Sequence, residues 1–129
     1  EKWTSIKQDF PKINLHLIGK LQTNKVKFVL PLFDYIHSLD NLKLASKIAD
    51  EQIKKNFKPK IFIQVNVGEE SQKSGLPPDK VYEFLSTCTK KLDLEIIGLM
   101  CLPPNTDDSV KYFKMMEKLL SDNSFSKRK

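Results

Sequence analysis

The side chains able to do chemistry in this 129-residue sequence are scattered, and few of them form a set. The two histidines, His16 and His37, each lie amid apolar neighbours with no carboxylate at an orienting position, which is the pattern of a structural imidazole rather than a general base. Cys88 and Cys101, the two cysteines, fall in different apolar segments without C-x-x-C or Cys/His spacing. They read as small buried thiols and not as zinc ligands. A lysine that attacks a carbonyl must be desolvated or electrostatically depressed to be nucleophilic near neutral pH. Nothing in Gly19-Lys20-Leu21-Gln22 or Asn24-Lys25-Val26 implies either condition for Lys20 or Lys25. No pair of carboxylates, no Ser/His/Asp set and no Cys/His set emerges from the rest of the chain, so no catalytic residues are assigned.

Composition narrows the class. With 40% hydrophobic residues the chain can form one compact domain with a sizeable core. No apolar stretch approaches the roughly 20 residues of a membrane-spanning helix, and Glu1-Lys2-Trp3 lacks the basic-then-apolar layout of a secretion signal. The expectation is a cytoplasmic chain with no membrane partner. A net charge of +6 raises a basic nucleic-acid-binding α/β domain as the alternative reading. Against it, the lysines are spread along amphipathic segments (Lys43, Lys47, Lys54, Lys55; Lys80, Lys90, Lys91; Lys111, Lys114, Lys118) with no aromatic interleaving. Solvated helix faces account for them. The densest basic run, Lys127-Arg128-Lys129, follows a Ser/Asn-rich stretch and reads as a disordered tail over residues 123–129.

Short β-rich runs alternate with longer helical patterns, which is the mark of βαβ units. The runs are Ile13 to Ile18, Tyr35 to Ser38, Lys60 to Val67 and Leu94 to Met100. Between them, Val26, Val29, Leu30 and Phe33 mark a short helical stripe, and Leu42, Ala45, Ile48, Ala49 and Ile53 a longer one, with Ser38 or Asp40 available as its cap. Pro77 and Pro78 suit the first turn of a helix striped by Val81, Phe84, Leu85, Cys88 and Leu92. A last stripe, Val110 to Leu120, follows Thr106, Asp107 and Asp108. The spacing favours parallel pairing, compatible with an open doubly wound sheet or with about half of an eight-stranded barrel.

Four stretches carry a family resemblance. His16-Leu17-Ile18-Gly19-Lys20-Leu21-Gln22-Thr23-Asn24-Lys25 resembles the H-x-I-G-x-L-Q-x-N-K signature of the pyridoxal 5′-phosphate homeostasis proteins, relatives of the alanine racemase N-terminal barrel. The run from Ile63 to Gly75 resembles that family's I-Q-x-N-x-x-x-E-x-x-K-x-G segment, and Gly98 to Pro103 its G-L-M-x-x-P turn. His37-Ser38-Leu39-Asp40 is similar to its H-[ST]-[LIV]-D. The resemblance implies a partial parallel (β/α)8 TIM-type barrel over residues 1–122, of about four β/α units corresponding to family strands 3 to 6. It further implies a cytosolic protein that holds pyridoxal 5′-phosphate (PLP) as an aldimine and acts in cofactor supply without established turnover. The family's aldimine lysine lies upstream of Glu1 and its phosphate-holding segments downstream of Lys129, so this stretch alone is expected not to hold the cofactor.

In a parallel barrel, functional groups gather at the strands' C-terminal ends, which here singles out His16, Ser38, Asn66, Met100 and Cys101. By resemblance the candidate cofactor contacts are Asn66, Lys73 and Met100. Lys73 lies where related racemases place an arginine near the cofactor's phenolic oxygen, and a cation there stabilises that oxygen's charge; as a solvated loop lysine it would do nothing. Asn66 could hydrogen-bond the cofactor or its supporting shell, or cap its own loop. Met100 offers a polarizable surface to the ring, or fills core. An unclosed barrel leaves strand edges and an inner face uncovered, so the chain is expected to need the missing barrel segments or to self-associate.

Overall fold

Each short β-rich run becomes a strand and each amphipathic run between them a helix. The computed structural model describes residues 2–10, 12–30, 32–66 and 75–101, with positions 114, 117 and 118. Helix α1 (Lys2–Asp9) precedes β1 (His16–Leu17). A 3-10 turn (Thr23–Lys25) runs into α2 (Val26–Val29), and β2 (Tyr35–Leu39), α3 (Leu42–Lys55) and β3 (Lys60–Val65) follow. A second 3-10 turn (Pro78–Lys80) opens α4 (Val81–Ser86), which widens into a π turn (Thr87–Lys91) before β4 (Glu95–Cys101). Residues 67–74 with Lys73, the helix expected after Thr106 apart from the helical positions 114, 117 and 118, and the basic tail lie outside the described residues.

The strands form a four-stranded parallel sheet in sequence order, β1-β2-β3-β4. That order matches one of the two topologies left open by the spacing. A doubly wound sheet reverses strand order at a switch point, whereas strands added one after another in one direction make a barrel sector. Ile36 stands opposite Ile61, and Ile63 opposite Leu39 on one side and Leu99 on the other. The register shifts between Ile36 and Leu39 and again between Ile61 and Phe62, local irregularities that re-aim the side chains beside them.

One face of the sheet supplies Ile36, Leu39, Ile61, Ile63 and Val65 to a core completed by Val26, Leu44, Ile48, Val81 and Cys88 from the helices. Each fully buried aliphatic side chain of this kind contributes about 1.5–3 kcal/mol relative to exposure. Helix α4 buries the stripe its spacing predicts, Val81, Phe84, Leu85 and Cys88, with Leu92 packed at the margin.

Helix α3 departs from its pattern. Leu42 and Ile53 are exposed, and the buried face runs through Leu44, Ala45, Ile48 and Gln52. Gln52 turns the helix this way because its Nε2 donates to the carbonyls of Asp93, at 3.0 Å, and Leu92, at 3.5 Å, tying α3 to the end of the π turn. The cap also differs: Asn41 Oδ1 accepts from the Leu44 amide at 2.8 Å, while Ser38 belongs to β2. At the other end Asn56 closes α3 in a left-handed conformation, its amide reaching Gln52 and Ile53 carbonyls.

Strand β1 is shorter than the alternating run Ile13 to Ile18. Leu15 is held by backbone and side chain together: its carbonyl accepts the Asp34 and Tyr35 amides at 2.9 and 3.1 Å, its amide donates to Asp34 Oδ2 at 2.9 Å, and the same oxygen receives Lys7 Nζ at 2.9 Å. This contact joins α1 to the N-terminal ends of β1 and β2, the end of a parallel barrel associated with stability rather than chemistry.

Candidate functional site

Because the strands are parallel, their C-terminal ends lie on one side of the sheet, and the loops that leave them share that side. Asn66 directly follows β3. Its amide donates to the Leu76 carbonyl at 2.9 Å, the Leu76 amide donates to the Gln64 carbonyl at 2.8 Å, and Val65 and Leu76 form a parallel bridge. The chain that left the strand at Asn66 therefore comes back against it at Gly75 and Leu76. Gly75 allows this approach with φ at 128°, and a Cβ there would lie 2.8 Å from the Asn66 nitrogen. Asp40, just past β2, accepts the Gly75 amide on Oδ2 and the Asn41 side-chain amide on Oδ1, each at 2.9 Å.

Met100 stands in register opposite Gln64, so it sits one strand away from the Asn66 end of β3 and is half-buried. Cys101 pairs with Val65 and packs against the helix-side core, which takes it off the face that would line a barrel lumen. It is only partly buried, less than its apolar context predicts, and burial raises its thiol pKa. Cys88 is fully buried and its thiol is pushed up to about 12 by desolvation, an inert group. Ser38 Oγ is buried at the β2 end with no hydrogen-bond partner among the described residues. Of the three cofactor contacts named from the sequence, Asn66 and Met100 come to the same end of adjacent strands, and Lys73 lies outside the described residues.

The face opposite the helices carries a row of rings that spacing alone does not reveal. His16 stacks on Tyr35 with centroids 4.1 Å apart, His16 Nδ1 is 3.0 Å from His37 Nε2, and His37 stacks on Phe62 at 4.4 Å. Gly98 on β4 makes room for Phe62, since a Cβ there would lie 2.9 Å from the ring. Lys60 Nζ sits 5.5 Å over the Tyr35 ring. The two histidines, read from the sequence as separate structural imidazoles, are each other's partner. The signal in the sequence was their occurrence on consecutive parallel strands, which becomes a contact only once the register is known.

The pair has a pH consequence. Burial and then repulsion from the His16 imidazole lower the His37 pKa from its ordinary 6.5. The unfolded chain therefore binds a proton more readily than the folded one, and stability falls as pH drops below about 6.5 toward the folded pKa. Thermal melts across this range should show the decline, and His37→Phe, which keeps a ring against Phe62, should flatten it. An equally steep decline in His37→Phe would assign the effect to other groups.

Among the described residues no three His, Cys, Asp or Glu converge as a metal site, and no helix is long and apolar enough to cross a membrane. The family model described as alanine racemase, N-terminal domain, matches residues 7–122. The chain belongs to this family. The pyridoxal phosphate homeostasis protein of Aquifex aeolicus is 37% identical over 107 residues, covering 81% of this chain and 47% of that protein. PipY of Synechococcus elongatus, in a structure with PLP bound, superposes with a TM-score of 0.75 at 24% identity, over 95% of this chain and 59% of its own. An alanine racemase of Clostridium difficile superposes at 0.74 with 11% identity, over 94% of this chain and 35% of its own. The two structures establish the fold, a sector of the racemase-type α/β barrel. The chain spans about half the length of the curated relatives it matches, 47% and 46% for the Aquifex and Vibrio alginolyticus proteins. Those relatives are named as homeostasis proteins rather than enzymes.

Proposed function

We propose that this chain is a section of a PLP-binding barrel acting in vitamin B6 cofactor homeostasis in the cytoplasm, without substrate turnover of its own. The observation that supports the reading is that Asn66 and Met100 lie at the same C-terminal end of neighbouring parallel strands, in a family member whose relatives bear the homeostasis name.

A flat pyridine ring with a phosphate asks for an apolar wall, a hydrogen-bonding group and a cation. The described residues fit one wall of such a site: Met100 supplies polarizable surface, Asn66 an amide, and the unpartnered Ser38 hydroxyl a further polar atom at the same end of the sheet. Lys73, which the family resemblance puts forward, would supply the cation. When bound, the cofactor contributes its aldehyde and its electron-withdrawing ring. The lysine that anchors it and the segments that hold its phosphate are assigned to the part of the barrel beyond these residues.

The test replaces the corresponding segment of the Aquifex aeolicus relative with residues 7–122 and titrates PLP. The hybrid should acquire cofactor absorbance at the visible edge, while the 129-residue chain alone should not. Asn66→Ala and Lys73→Ala in the hybrid should each weaken binding about tenfold, equivalent to ~1.4 kcal/mol. A hybrid that melts cooperatively yet takes up no cofactor refutes the reading.

A further inference from the structure

We propose that Asp40 is the positioning residue for the cofactor end of β3, acting by latching the returning chain at Gly75 against Asn66. Its functional content rests on the cofactor-binding reading above, but its geometry stands independently.

Asp40 lies one residue past β2 and Gly75 one residue before Leu76, so the contact spans 35 positions of sequence and joins two neighbouring loops. Its two carboxylate oxygens face different partners: Oδ2 takes the Gly75 amide and Oδ1 the Asn41 amide, each at 2.9 Å. Asn41 in turn caps α3 through the Leu44 amide. The latch is thus anchored on a 14-residue helix rather than on a free loop. On the other side, Leu76 next to Gly75 is stitched to Gln64 and Asn66 by two backbone hydrogen bonds of 2.8 and 2.9 Å. The chain of contacts runs from the α3 N-terminus through Asn41, Asp40 and Gly75 to Asn66. A backbone amide donating to a carboxylate is roughly twice as strong as a neutral bond, so the Asp40–Gly75 bond is a stronger tie than either backbone bond made by Leu76. The H-x-x-D and K-x-G segments, far apart in sequence and chemically unrelated, come to one purpose: Asp40 fixes where Asn66 stands without touching a ligand.

The experiment compares Asp40→Ala and Asp40→Asn with the parent. In the 129-residue chain, amide exchange is followed at Asn66, Gly75 and Leu76, with Ile61 and Ile63 as core reference. Asp40→Ala should speed exchange at the three loop amides by at least about tenfold and leave the reference unchanged, because local opening is separate from global unfolding. Asp40→Asn, which keeps a carbonyl oxygen for the Gly75 amide, should recover most of the protection. In the Aquifex hybrid the same variants should show PLP affinity falling with Ala and returning with Asn, at an unchanged melting temperature. Unaltered loop exchange in Asp40→Ala overturns the latch. Faster exchange with unaltered PLP affinity overturns its role in positioning while the cofactor reading stands. If the parent hybrid takes up no PLP, the cofactor reading fails, and the exchange comparison alone decides whether Asp40 holds Asn66.

Discussion

Gly75→Ala is expected to cost the fold about 2–5 kcal/mol, the sum of left-handed backbone strain and of overpacking against an immovable neighbour. Both contributions are visible locally. The residue has φ at 128°, which L side chains rarely adopt, and the added Cβ would lie 2.8 Å from the Asn66 nitrogen and 3.0 Å from the Val65 carbonyl carbon. These are backbone atoms of the last residue of β3 and the one after it, so no rotamer change relieves the contact. Relief requires the Gly75–Leu76 segment to lift away, which breaks the Asn66–Leu76 and Leu76–Gln64 hydrogen bonds and the Asp40 latch together. Denaturant titration measures the loss, and Gly19→Ala is the control. Gly19 also stands in a loop beyond a strand and within a family signature, but nothing lies within 4 Å of its Cβ position. Its substitution should stay within about 0.5 kcal/mol of the parent. Equal costs at the two glycines would mean that the close return of the chain beside Asn66 is not a feature of the folded protein.

The contrast between these glycines shows which features can be read from a sequence. Strand and helix identities followed from periodicity because burial on one face imposes it: Val81, Phe84, Leu85 and Cys88 line α4 as their spacing demands. On α3, Ala45, Ile48 and Ala49 are buried as their spacing predicts, and only Leu42 and Ile53 were misplaced, because a buried polar residue carries no hydrophobic signal. Gln52 faces inward to serve the Asp93 and Leu92 carbonyls, and that rotates Leu42 and Ile53 into solvent. Sheet order was likewise out of reach of spacing, since the same crossover lengths fit both parallel architectures. The strand-end positions of Asn66 and Met100 were legible once a parallel barrel was expected, and the register puts both at that end. Asp40, the His16–His37 pair and the need for Gly75 depend on which residues oppose each other across strands, a relation that register creates and linear sequence does not display.

Where Gly75→Ala acts on one loop, Ile63→Ala should act on the whole sheet. Ile63 is fully buried in β3, with Leu39 and Leu99 opposite it on the two neighbouring strands. Truncation removes most of its buried surface and leaves a cavity bounded by strands whose backbones are already committed to the ladder, so collapse around it is limited. The expected cost is about 2–5 kcal/mol, against about 0.5–1.5 kcal/mol for Ile63→Val. For complete domains total stability is only about 5–15 kcal/mol, and a barrel sector whose inner face exposes His16 and whose β4 edge has no further strand among the described residues stands toward the lower end. Ile63→Ala in the 129-residue chain is therefore expected to lose the cooperative transition altogether, while the same substitution inside the Aquifex hybrid only lowers the midpoint. A near-parental melt for Ile63→Ala in the isolated chain would place the centre of stability somewhere other than this sheet-and-helix core.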